Sequence, residues 1–324
     1  MADTRPAVQE TREQGFSMPE VMLAILIMMV VSGTVLQGIL GLTDVSNVVT
    51  NRTDMHNRVR NATELLTQEI GQAGRIALPG RLTIPGGAAL GAVQAVLATT
   101  SGGPATDGLF IGERLVIDTG ANQETATVAA INPGAATVTF ATPLGKAHAA
   151  NAPVAALGGF SAGVIPPAPA FPNGSTGNVL KIFGDINDDG NLVYAEYTCD
   201  LVQGRLFRNT MPFDSINKPA PTVEEILIDN VEVNPPNLDG TVTPCFTYQT
   251  RDVAGTTYVV GVAITLTVRS QRQDRNTADF QRETKALLNV SPRNVFNVWQ
   301  MAGLGITDRI QPTPPGVLNL IAQN

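Results

Sequence analysis

Glu20 is the sole ionisable side chain between Phe16 and Thr43, in a run that is otherwise apolar. A carboxylate near the end of a long apolar segment is costly unless an opposite charge neutralises it, so it marks a functional position. A second candidate lies far downstream. Asp185-Ile-Asn-Asp-Asp-Gly-Asn191 followed by Glu196 fits D-x-[DN]-x-[DN]-G-x5-E, the pattern of a calcium loop. In that reading Asp185, Asn187, Asp189 and Asn191 turn oxygens toward one hard cation while Gly190 makes the sharp turn. The alternative is a hairpin turn, where Asp, Asn and Gly serve local hydrogen bonding and positive φ. Glu196 would then lie about 20 Å along an extended strand from Asp189, too far to close a cage. Beyond this turn the sequence offers no cofactor site.

Other reactive side chains are few. The chain has two cysteines, Cys199 and Cys245, and two histidines, His56 and His148, too few for a zinc cluster. His56 sits beside Asn51 and Asn57 on a helical pattern and reads as a solvated position. His148 falls in a loop with no acid or nucleophile motif beside it, so its expected role is structural. There is no glycine-rich phosphate loop, no G-x-S-x-G, no H-E-x-x-H and no usable histidine triad. Glu224-Glu225 reads as a solvated pair at a strand start. The expectation is a protein that is not an enzyme. The net charge of −7 and pI near 4.9 also argue against nucleic acid as a partner.

Glu20 has to be positioned by the apolar block that contains it. Only 15% of the chain is charged, against roughly a quarter in a typical domain. Part of that deficit lies in Val21–Leu42, which as a helix would be about 33 Å long and able to cross a bilayer. A secretory signal peptide would carry a basic start, a shorter apolar run and a cleavage site after that run. Here a polar block of 15 residues comes first and ends in glycine.

The residues Gly15-Phe16-Ser17-Met18-Pro19-Glu20-Val21-Met22-Leu23-Ala24 resemble the class III signal of type IV prepilins and type II secretion pseudopilins. That resemblance implies cleavage between Gly15 and Phe16 by a membrane-embedded prepilin peptidase, then N-methylation of Phe16. It also implies that Glu20 pairs with a Phe16 amine, on its own or a neighbouring subunit, during filament assembly. The implied partners are other pilin subunits, the peptidase, an inner-membrane assembly platform and membrane lipid. The implied location is a single pass in the inner membrane with the head in the periplasm, then a filament. One departure concerns the leader, where Arg5 and Arg12 face Asp3, Glu10 and Glu13, so loop charge does not set orientation. With the head outside the cytoplasm, a Cys199–Cys245 disulfide is the economical expectation, and two unpaired buried thiols are the alternative.

The rest of the chain supplies a head. Val45, Val48, Met55, Val59, Ala62, Leu66 and Ala73 recur at helical spacing, so one helix should run from about Phe16 to Ile76, ended by Gly71, Gly74 and Pro79. Beyond it the expected order is a loop-rich connection with short strands at 77–106, an inserted β module at 107–157 and a Pro/Gly linker at 158–177. A β-sheet head at 178–300 and a tail at 301–324 complete it. Val259–Arg269 is the strongest strand pattern. The fold class is α+β: a long N-terminal helix packed on an antiparallel β-sheet head, with an inserted all-β module. Tyr258–Ser270, Phe280–Thr284, Val290–Asn294 and Gln72–Arg75 look like the corresponding parts of PilW-type minor pilins. With the large head, that likeness implies a low-copy priming or tip subunit. The competing expectation is a single-span envelope protein whose β head binds a ligand or surface, with no filament.

Overall fold

The computed structural model describes residues 15–100, 104–273 and 279–323. The predicted leader, apart from Gly15, lies outside the described residues.

Helix α1 spans Met18–Gln72, 55 residues, about 80 Å at the standard rise. Ser17 is its N-cap, Pro19 sits in the first turn where no amide partner is needed, and Glu20 lies at the positive end of the helix dipole. Its two halves differ. The apolar side chains of the first half face outward: Leu26, Met29, Leu40 and Leu42 are 51–73% exposed. From Met55 on, the stripe Met55, Val59, Ala62, Leu66, Ile70 and Ala73 is buried against the head.

The helix ends at Gln72, four residues before the sequence-predicted limit, and Gly74 explains why. It turns with φ +80, and its amide donates to the Phe183 carbonyl. Gly163 passes so close that a Cβ there would stand 2.2 Å from the Gly74 Cα. Only glycine permits this crossing.

Under the second half of α1 lie two antiparallel sheets. One has the order β12-β11-β10-β9, built from β9 (Val179–Gly184), β10 (Val193–Asp200), β11 (Arg205–Pro212) and β12 (Ile226–Asp229). The other is organised by β15 (Thr256–Gln273), which pairs with β13 (Val231–Glu232), β14 (Phe246–Val253) and β16 (Phe280–Val290). Leu66, Ile70, Leu180, Tyr197, Leu206, Val259, Ile264 and Leu266 meet in one core between helix and sheets. The first sheet buries its other face too. There Phe160, Phe183, Tyr194 and Phe213 pack against Val317, Leu320 and Ile321 of a short C-terminal helix, Pro315–Ala322.

The β module starts earlier than its sequence pattern suggests. Its strands are β1 (Leu82–Ile84), β2 (Gln94–Val96), β3 (Ala98–Thr99), β4 (Arg114–Ile117), β5 (Glu124–Asn132), β6 (Thr137–Phe140) and β7 (Ala152–Ala156), in the order β2-β6-β5-β4-β7-β1-β3. The two ends of that order, β2 and β3, are parted in sequence only by Leu97. One bent segment therefore closes the sheet around Leu82, Ile84, Leu97, Leu115, Ile117, Val138 and Phe140, giving a small barrel. The short strands expected in 77–106 are β1, β2 and β3, and their pairing places residues 82–99 in this barrel. Strands of two or three residues between glycines are too short to show a period of two.

The expected linker and tail are also structured. Phe160, Val164 and Ile165 are fully buried, and β8 (Gly159–Phe160) pairs in parallel with β17 (Ile310–Gln311). Gln311 is fully buried; its side chain bonds both the amide and the carbonyl of Arg114 and the carbonyl of Leu157, tying the C-terminal segment to the barrel. A pairing between segments 150 residues apart leaves no local signal in either one.

Candidate functional site

The N-terminal half of α1 is the first candidate. It is long and apolar enough to span a membrane, with a mean hydropathy of 2.3 over its most apolar window, none of which is buried. Its polar groups are largely satisfied within the helix. The Thr34 and Thr43 hydroxyls donate to the Val31 and Ile39 carbonyls at 2.8 Å, so neither would stand bare in an apolar medium. Glu20 is different. Its side chain is exposed in the first turn, and no described residue bonds its carboxylate. Gly15 and Phe16 precede the helix as exposed chain without regular secondary structure, with nothing within 4 Å of a Cβ placed on Gly15.

A polar latch fixes the other half of α1 to the head. Glu69 is buried on the apolar face of the helix, where it accepts from the Tyr197 hydroxyl and from Arg208 Nε at 3.0 Å. Burial, then the Glu69 charge, holds the Tyr197 hydroxyl far above its ordinary range, so it remains a donor. A buried carboxylate with both a cation and a hydroxyl is satisfied, and it fixes the rotation of α1 over β10 and β11. The sequence reading missed this trio, although Glu69 interrupts the stripe Leu66, Ile70, Ala73, which was a visible signal.

The predicted calcium turn is a turn held by an arginine. Asp185 is buried and its Oδ1 accepts the Asp189 amide at 3.1 Å, while Asp189 Oδ1 accepts the Asn191 amide at 2.9 Å. Arg75 Nε stands 3.6 Å from Asp185 Oδ2, and its guanidinium pairs with Asp188. A cation of the protein thus lies where the metal would, and Asn187 is exposed at the turn's outer side. Glu196 is elsewhere, on β10, bonded to Lys218 Nζ and the Tyr194 hydroxyl, both at 2.9 Å. Among the described residues no group of three or more His, Cys, Asp or Glu side chains converges to hold a metal. The donor set does not fit calcium.

Cys199 and Cys245 form a disulfide between the end of β10 and the start of β14, buried in the main core. The bridge closes 46 residues of chain, a loop for which chain entropy alone gives about 4 kcal/mol. Glu225 caps a single helical turn at Val223–Glu225 through the Thr222 amide, so the Glu224-Glu225 pair closes that turn just before β12 begins at Ile226.

Two buried titratable groups sit in the barrel. Glu113 is fully buried just before β4; its Oε2 accepts the Phe110 amide at 3.2 Å and its Oε1 has no partner. Burial pushes this carboxyl up to about 8, opposed only by the Phe110 amide. His148 is also buried, with a carboxylate at each ring nitrogen, Asp118 and Glu124. His56, by contrast, is exposed on α1, 3.5 Å from Glu283.

Searches against family models, curated proteins and solved structures found no match to this chain.

Proposed function

We propose that the chain is a structural subunit, a minor pilin with a priming or tip role, of a type IV pilus or related type II secretion filament. In this reading it is cleaved after Gly15, N-methylated at Phe16 and assembled through the first half of α1. The observation that carries the proposal is one continuous helix with two surfaces: an exposed apolar half bearing a lone carboxylate, and a half buried on a β head.

Each step has a physical basis. Before assembly the apolar half rests in the bilayer, whose hydrocarbon core it exceeds in length. Leaving lipid for a filament core exchanges one apolar surrounding for another, so partner helices can replace lipid at little cost. Removing the same side chains to water would cost on the order of tens of kcal/mol. Glu20 then sets register, because its charge is tolerable in that core only where an amine meets it. Cleavage after Gly15 creates such an amine on Phe16. The latch Glu69–Tyr197–Arg208 couples the helix rigidly to the head, so force on one is carried to the other.

Assembly of the Glu20→Ala variant tests this reading. The variant should insert in the inner membrane as the native chain does and fail to enter sheared filaments. Normal incorporation would remove the role given to the carboxylate. An inserted native chain that never enters a filament would favour a membrane-anchored envelope protein with a binding head.

A further inference from the structure

His148 joins three parts of the barrel at one point. Its buried ring places Nδ1 3.2 Å from Asp118 Oδ2 and Nε2 2.7 Å from Glu124 Oε1. Asp118 follows β4 in the left-handed conformation (φ 65), and its Oδ1 accepts the Thr119 amide at 2.8 Å. Glu124 opens β5 and also accepts the amides of Gly145 and Lys146, at 2.8 and 3.0 Å. Lys146 extends Nζ to the Ala121 and Gln123 carbonyls of the β4–β5 turn. The His148 main chain is bonded separately, to Ala88, so the ring is an added tie and not the loop's sole support.

The number of protons on that ring decides how many ties exist. A neutral imidazole has one N–H and can donate to one neighbour; the imidazolium has two and donates to both. The two acceptors are ionised. Asp118 is held below the usual carboxylate range by the Thr119 amide and then by His148. Burial raises Glu124, but the Gly145 amide, His148 and the Lys146 amide outweigh it, so it too lies below its ordinary value. Asp118, Glu124 and Lys146 are the charged groups that face this ring among the described residues. A neutral ring therefore turns a lone pair toward one of two partly exposed carboxylates, which loses its donor from the buried ring and faces that lone pair instead.

We propose that His148 is a proton-operated latch: charged, it ties the β6–β7 loop to both carboxylates of the β4–β5 turn, and on losing a proton it gives up one of those two ties and loosens the loop. The latch stands independently of the filament reading, because it concerns the barrel alone.

With only His56 and His148 in the chain, the two rings can be told apart by nuclear magnetic resonance. The experiment uses the full chain, 15N-labelled in detergent micelles, from pH 5 to 9, a range that brackets the ordinary histidine value of about 6.5. Ring 15N shifts report protonation, and hydrogen exchange of the Gly145 and Lys146 amides reports the loop. In acid both His148 nitrogens should carry protons. As one is lost, protection of those amides, corrected for intrinsic exchange, should fall about tenfold or more. His148→Gln should abolish the pH step, and His56→Gln should keep it. If His148→Gln does not fold, the native ring and its loop still decide. A His148 ring that keeps one protonation state throughout, or that titrates while amide protection stays level, overturns the latch.

Discussion

Replacing Glu113 by glutamine should stabilise the protein, and do so only above acid pH. Glu113 is buried with one unpartnered oxygen, and burial pushes its carboxyl from 4.5 up to about 8. The native state therefore holds this proton more tightly than the unfolded chain does. A carboxyl raised in the folded state gives its full stability below the unfolded value and loses it as pH rises through the folded one. Each unit is about 1.4 kcal/mol, so between pH 4.5 and pH 7 the native protein should lose about 3 kcal/mol through this group. Glutamine keeps the shape and the bond to the Phe110 amide but has no proton to lose. Chemical denaturation of the full chain in micelles, at pH 4 and pH 7, gives the comparison. The variant should match the native protein at pH 4 and exceed it by about 3 kcal/mol at pH 7. Parallel pH profiles for the two proteins would show that the cost does not come from ionising Glu113.

Other expectations follow from the same geometry. Tyr197→Phe leaves Glu69 with Arg208 alone and should destabilise by about 1–3 kcal/mol, read by urea unfolding; an unchanged midpoint would show that the latch contributes nothing. Replacing both Cys199 and Cys245 by serine should cost about 4 kcal/mol, and thiol titration of the unfolded, unreduced chain should find no free thiol. Gly163→Ala puts a methyl group 2.2 Å from the Gly74 Cα, against backbone that cannot yield, and the variant should fail to accumulate as folded protein. Calcium should leave the thermal midpoint of the native chain unchanged, since Arg75 already pairs the turn's carboxylates; a calcium-dependent rise that Asp185→Ala removes would contradict that assignment.

Legibility in the sequence followed the range of the forces involved. Helix α1 and strand β15 were readable because their burial repeats locally, at 3.6 and at 2 residues. The place of the barrel's first three short strands in its sheet was not, because two or three residues cannot display a period, and β2 and β3 take their place from partners as distant as Thr137–Thr139 and Leu82–Thr83. The pairing of β8 with β17 leaves no local signal for the same reason: the two segments find each other only in the folded chain. Asp185–Asn191 matched a metal pattern because a tight turn and a calcium loop draw on the same residues. Arg75, more than a hundred positions away, decides between them. Glu20 was legible because a charge alone in an apolar run needs no distant context to be anomalous. Glu113 and His148 were not, since burial is the whole of their chemistry and loop sequence does not reveal it.

Filament assembly as proposed here begins with cleavage between Gly15 and Phe16. Intact-mass analysis of the chain co-expressed with a prepilin peptidase reads that step. The mature chain should begin at Phe16 and carry one added methyl group on its amine. Retention of residues 1–15 in the presence of active peptidase would rule the processing site out.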